Sequence, residues 1–305
     1  MLEADQGLVG ESEVQVGGGF PDPRYLISAR ELNERLGAVT LVDLRPAEDF
    51  ALGHIPGSGH LDIYGVSLND SAEAPLNAFL AIFRVLFGTR GVAADRPVVI
   101  YDHESGERSA RAVWLLAVLG HPDVRLLDGG TQAWIAAGGQ LARVTSAPAP
   151  VDPAKAPPAA PPFKGKMNLD LLATRFDVHR AIGDESAVIL DVRRESEYRG
   201  TEKRARRAGK IPGAVHVFWR EHLDARGAFR PADDIRRLYE SRGVTPDKTV
   251  IPLCQGGYRS ASTFIALKSL GYPRVRNYVS AWGEWGNRDD SKIVVPAAGG
   301  IDGTV

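Results

Sequence analysis

The chain has 305 residues, with 37 Lys plus Arg against 38 Asp plus Glu and a single cysteine. That length suits two domains of about 150 residues each. Balanced charge provides no global field for nucleic acid or an acidic membrane, no apolar run reaches the roughly 18 residues of a spanning helix, and one cysteine excludes an intrachain disulfide and any multi-cysteine metal site.

Residues 1–22 are acidic and Gly-rich, with neither a basic nor an apolar leader segment. They are expected to form a flexible tail, which makes a cytoplasmic location the default. A first domain over 23–145 opens with a helix at Ser28 to Leu36, where Ser28 and Glu31 fit a capping box. A buried strand follows at Val39 to Leu44, then another at Val98 to Tyr101, and a helix at Ser109 to Leu119. Residues 146–163 hold a run of proline and alanine that suits an extended polyproline spacer and marks the domain boundary. The second domain, 164–290, repeats the pattern: strands at Val188 to Val192 and Thr249 to Leu253, helices at Pro231 to Arg242 and Ser260 to Leu270. Gly37, Gly120, Gly243 and Gly271 follow four of these helices as stops. Residues 291–305 are expected to form a C-terminal tail. Strands alternating with helices imply an α/β fold, each domain a mostly parallel central sheet flanked by helices.

The two halves also match residue by residue. Leu41-Val-Asp-Leu-Arg45 is echoed by Ile189-Leu-Asp-Val-Arg193, and Gly53-His-Ile-Pro-Gly57 by Gly209-Lys-Ile-Pro-Gly213. Arg108-Ser-Ala recurs as Arg259-Ser-Ala, and Trp134 as Trp285. Ordered landmarks with small insertions indicate a duplication. In ungapped register His103 occupies the position of Cys254 in the other copy, and a one-residue gap places Asp102 there instead. Neither offers a thiol.

Cys254 ends an apolar strand and is followed by Gln255, Gly256, Gly257, Tyr258, Arg259 and Ser260, where a helix begins. The paired glycines allow successive N–H groups to turn toward one point. Those amides and the helix N-terminus favour negative charge at the cysteine, hence a reactive thiolate, and Arg259 adds a fixed cation at the rim.

These motifs, from Tyr25 to Trp285, resemble the tandem rhodaneses, the thiosulfate and 3-mercaptopyruvate sulfurtransferases. Leu127-Asp-Gly-Gly130, leading to Trp134, belongs to the same pattern. The resemblance implies two rhodanese-like domains, the first catalytically silent and serving as a wall of the site. It implies that Cys254 takes a sulfane sulfur from a small anionic donor and passes the persulfide sulfur to cyanide, a thiol or a sulfur-accepting protein. No metal and no organic cofactor is called for. It also assigns donor binding to Arg206, with Arg259 in the loop. At Glu197 and Gly256 the chain departs from the family, which holds cations there. Glu197 is therefore expected to repel a dianion at the mouth of the site and to weaken thiosulfate binding. Two other functions are open on the residues alone: a sulfur carrier serving a protein, and a cysteine phosphatase or arsenate reductase. The latter use Cys-x5-Arg, whereas this loop is Cys254-x4-Arg259, a smaller cradle.

Overall fold

The computed structural model describes residues 18–145, 160–296 and 302–304. Most of the proline-rich spacer, from 146 to 159, lies outside the described residues, as do residues 1–17 of the N-terminal segment.

The first domain runs β1 (Leu26–Ile27), α1 (Ala29–Arg35), β2 (Thr40–Asp43), α2 (Ala47–Leu52), β3 (Gly59–His60), α3 (Glu73–Gly88), β4 (Val98–Tyr101), α4 (Glu107–Val118), β5 (Val124–Leu127) and α5 (Gly130–Ala136). Its five strands form a parallel sheet in the order β1-β5-β4-β2-β3. The second domain runs β6 (Leu172–Ala173), α6 (Arg175–Ala181), β7 (Ala187–Asp191), α7 (Glu195–Tyr198), β8 (Val215–His216), α8 (Ala232–Glu240), β9 (Thr249–Leu253), α9 (Arg259–Ser269), β10 (Asn277–Tyr278) and α10 (Ala281–Trp285). Here β8-β7-β9 and β10-β6 pair separately, and a parallel bridge from Val250 to Val275 joins them in the first domain's order. The repeat read in the sequence is a repeat of topology.

Both copies anchor their sheet with one buried ion pair. Arg45 Nη2 lies 2.6 Å from Asp43 and donates to the Gly53 carbonyl, also at 2.6 Å. Arg193 pairs with Asp191 at 2.6 Å and with the Gly209 carbonyl at 2.7 Å. The motif thus ties each strand end to the loop that carries Ile-Pro-Gly. Charges this deep are tolerated because both are fully hydrogen-bonded.

Side chains alternate across each sheet, as strand geometry requires. In β4 and β9 the even-numbered positions Val98, Ile100 and Val250 enter one large core, and odd-numbered Val99, Tyr101, Ile251 and Leu253 enter the outer cores. The large core is shared: Trp114 and Leu115 of α4 join Phe264 and Ile265 of α9 within it. Nearly every residue of both helices is buried, so they are central helices packed between two sheets.

The strands and helices read from the sequence all exist, with ends shifted by one or two residues. Gly120, Gly243 and Gly271 end their helices with φ near +80°, whereas Gly37 lies within a short 3-10 turn at ordinary φ. Helix α3 was not foreseen, although Leu76, Phe79, Leu80, Phe83 and Phe87 form its buried stripe. The parts of both expected tails that are described are packed. Phe20 is buried against Phe229, and Val294–Pro296 pairs with Asp302–Thr304 and bridges to Lys210. Among the described residues no helix is long and apolar enough to cross a membrane.

Gly120 offers a direct test of this packing. Its φ is +89°, and a Cβ there would overlap the Lys166 backbone at the start of the second domain. Gly120→Ala should cost about 2–4 kcal/mol from backbone strain plus overlap, read as a lower urea midpoint. An unchanged midpoint would contradict the contact.

Candidate active site

Strand periodicity fixes where the thiol faces. Cys254 follows β9 and shares its even parity with Val250, so the side chain turns inward to the shared core, toward the first domain. It is 1% exposed, and the Ser260 hydroxyl lies 3.6 Å from its Sγ.

The loop after it is held from outside by its carbonyl oxygens. Trp282 N–H donates to the Cys254 carbonyl (3.0 Å) and Gly283 N–H to that of Gln255 (2.8 Å). Arg111 donates to the Gly256 carbonyl, and the Asn277 amide to that of Gly257 (3.1 Å). Trans peptide planes set each N–H opposite the preceding C=O. Pulling four successive carbonyls outward therefore turns the following amides inward, where no protein acceptor takes those of Gln255 to Tyr258 among the described residues. Such a concave set of N–H groups is a receptor for an anion. Gly257 has φ +79°, and a Cβ there would lie 2.7 Å from the Val279 carbonyl, so only glycine fits.

The first domain contains the same loop with its cradle already filled. Asp43 pairs with Tyr101 in β4 as Asp191 pairs with Leu253 in β9, so the next residue, Asp102, is the structural counterpart of Cys254. His103, the ungapped match, instead points to solvent and lies 3.1 Å from Asp49. The Asp102 carboxylate accepts backbone N–H bonds from Glu104, Gly106 and Ser109 at 3.1 to 3.3 Å. Burial raises its pKa, and those amides oppose the rise. A buried carboxyl group thus occupies the place where the second domain carries sulfur.

A cleft of about 660 Å³ opens above Cys254 between the domains. Its walls include Arg108, Glu107 and Glu104 from the first domain and Arg194, Arg204 and Arg220 from the second. Arg220 holds Glu104 through two bonds of 2.6 and 2.9 Å across the gap. Arg194 and Arg204 reach their acidic neighbours only at 3.5 and 3.7 Å, with exposed side chains. Glu107 is half-buried, and burial lifts its pKa while Arg259 pulls it down.

Three expectations change. Arg259 is not a rim cation: it is 8% exposed and its guanidinium grips Glu197 at 2.6 and 3.0 Å. Glu197 is 1% exposed and not at the mouth, so it neutralises Arg259 and does not repel an incoming anion. Burial alone would raise the Glu197 pKa, but Arg259 first, with the Arg194 N–H and the nearby Arg193, brings the value down. Arg206 lies outside the cleft, paired with Asp289 on the exposed surface. The structure brings Cys254, Gln255, Gly256, Tyr258 and Arg259 to the cleft, with Gly257 and Ser260 directly behind them. Arg111, Arg204 and Arg220 had not been singled out; only the fold reveals that they face the sulfur's surroundings.

Comparison with known proteins agrees with this architecture. The family described as rhodanese-like domain matches twice, at residues 28–137 and 174–288. A thiosulfate sulfurtransferase of Pseudomonas aeruginosa is 37% identical over 278 residues, covering 90% of this chain and 99% of that protein. The sulfur carrier protein TtuD of Thermus thermophilus is 33% identical, covering 88% and 96%. Among solved structures, SseA of Escherichia coli, described with the rhodanese fold of 3-mercaptopyruvate sulfotransferases, aligns with TM-score 0.68 and 26% identity, covering 85% and 99%.

The buried pair gives a pH-dependent prediction. Glu197→Gln should cost about 3 kcal/mol at neutral pH by stranding the Arg259 charge. Because the folded pKa of Glu197 is depressed, its contribution is full above the unfolded value of about 4.3 and fades as pH falls through the folded one. The gap between wild-type and variant urea midpoints should therefore narrow below about pH 4. A gap independent of pH would contradict the ionic account.

Proposed function

The chain belongs to the rhodanese-like family, and from that premise we propose that it is a sulfurtransferase working through a persulfide on Cys254. The observation that carries the reading is the only thiol of the chain lying at the floor of an interdomain cleft, next to inward-turned amides and the start of α9.

The chemistry is a double displacement. The Cys254 thiolate attacks the sulfane sulfur of the donor, the new S–S bond forms, and the old bond breaks with its electron pair leaving on the donor remnant, sulfite in the case of thiosulfate. An acceptor nucleophile then attacks the outer sulfur, and the pair returns to Sγ. Cyanide would leave as thiocyanate, and a thiolate as a persulfide. The thiolate and the persulfide both need stabilised negative charge at one place. The amides of Gln255 to Tyr258 and the α9 N-terminus fit that need without rearrangement.

Donor recognition falls to the exposed arginines of the mouth. Arg204 and Arg194 are the least engaged by carboxylates and stand above the sulfur, so an anion can displace their weak internal contacts. Thiosulfate, mercaptopyruvate and organic persulfides all carry the negative charge this site reads. The phosphatase reading lacks support, since the cradle is one residue shorter than Cys-x5-Arg. One relative is named a sulfur carrier, and a carrier would load sulfur without turning over.

Intact mass after exposure to each donor should show one added sulfur on wild type and none on Cys254→Ser, which should lose all transfer while staying folded. Continuous thiocyanate production from excess thiosulfate and cyanide marks an enzyme; loading without turnover marks a carrier. Absence of loading with every donor would overturn the proposal.

The arginines separate cleanly. Arg204→Ala should raise the KM for anionic donors about tenfold, an effect that weakens with added salt, and Arg206→Ala should leave it nearly unchanged. Equal effects from both substitutions would contradict this assignment.

A further inference from the structure

Arg111 belongs to the first domain, on α4, yet it supports the catalytic loop of the second. It is fully buried. Nη1 donates to the Gly256 carbonyl and Nη2 to the Val66 carbonyl at 2.9 Å, while Nε has no partner. The guanidinium lies 3.8 Å from the centroid of the Tyr258 ring and 5.7 Å from that of Phe79. Carbonyls and ring faces solvate a cation but do not neutralise it. Among the described residues no carboxylate comes within ion-pair distance.

Apart from Glu107, the other charged groups on the surrounding elements have partners. Arg259 is matched by Glu197, which Arg204 also approaches, and Arg193 by Asp191. Across the cleft, Arg220 is matched by Glu104, Arg108 by Asp62 and Arg194 by Glu202. Asp102 is spent on its own loop, and Glu284 is bound by Ser71 and Tyr278 and faced by Arg175. Among the described residues Glu107 carries no ion pair, and it lies nearer the open cleft, beside Arg259. A buried, unmatched guanidinium stays charged, because arginine does not deprotonate in proteins. Its burial is costly unless some anion answers it.

We infer that Arg111 is the counter-ion of the Cys254 sulfur, so that the catalytically silent domain places a fixed positive charge beneath the thiolate and the persulfide. The inference deepens the reading of Cys254 as the sulfur carrier and rests on it. Arg111 acts as a positioning and electrostatic residue from behind the loop. Burial lowers its pKa, opposed by the neighbouring Tyr258 and Cys254 side chains, in agreement with that geometry.

The test is alkylation of Cys254 by iodoacetamide between about pH 5 and 10, which reads the thiolate whether or not sulfur is transferred. In Arg111→Met the midpoint should rise by about one unit, a tenfold loss of rate at fixed pH below both midpoints, and Arg111→Lys should restore most of it. Circular dichroism and urea midpoints establish folding. Should Arg111→Met fail to fold, Arg111→Gln keeps a donor for Gly256 and removes only the charge. A folded neutral variant with an unmoved midpoint, or a lysine variant as impaired as the neutral one, would overturn the inference. A purely structural role would move stability in both variants and leave the midpoint in place. A shifted midpoint in a protein that no donor loads would uphold the counter-ion and sink the sulfurtransferase reading, so the two failures are distinct.

Discussion

The packing of α4 against α9 is the constraint on which the rest of the molecule depends. Each helix starts directly after the loop of its own domain, and each is buried on all sides. Once the two are set side by side in one apolar core, both loops face the same interdomain space. The strand parity that sends Val250 inward then carries Cys254 inward with it, and α4 presents Arg111 to the opposite loop. Burial of large side chains such as Trp114 and Phe264 fixes this arrangement far more strongly than any polar contact at the cleft.

Duplication and divergence can be separated along the chain. What both copies retain is scaffold: the buried Asp–Arg pair, the Ile-Pro-Gly turn and the tryptophan of the last helix. What differs is the residue at the end of the central strand. Asp102 satisfies its amides with its own carboxylate, whereas Cys254 leaves its cradle open. The same turn of backbone amides is thereby filled from within in one copy and left open in the other.

Much of this was legible in the sequence because it is local. Capping at Ser28, the strand lengths and the glycine-rich turn after Cys254 all depend on neighbours within a few residues. The reading failed where charge partners are distant in the chain. Glu197 and Arg259 are 62 residues apart, and each was assigned a free charge that the other cancels. Arg206 was picked out by alignment, yet Arg204, two residues earlier in an irregular segment, is the one that faces the cleft. Helix α3 was overlooked despite its Phe79, Phe83 and Phe87 stripe, because it shares no matching motif with its counterpart α8 in the second copy. Arg111 had no sequence signal, since nothing in the repeat of α4 marks it apart from its neighbours Glu107 and Arg108.

The polar contacts flanking the cleft have a consequence for access. On one side Glu104 is bound to Arg220, and Ser105 N–H to the Gly227 carbonyl at 2.7 Å. On another, Ser71 is fastened to Glu284 by bonds of 2.9 and 2.7 Å, and Gly65 to the Tyr258 hydroxyl at 3.0 Å. Sewn together at several points around the opening, the two halves cannot swing apart like a hinge without breaking all of these bonds. Traffic must pass through the mouth as it stands. Whatever reaches Cys254 must therefore fit a cleft of about 660 Å³ whose two walls are already fastened to each other.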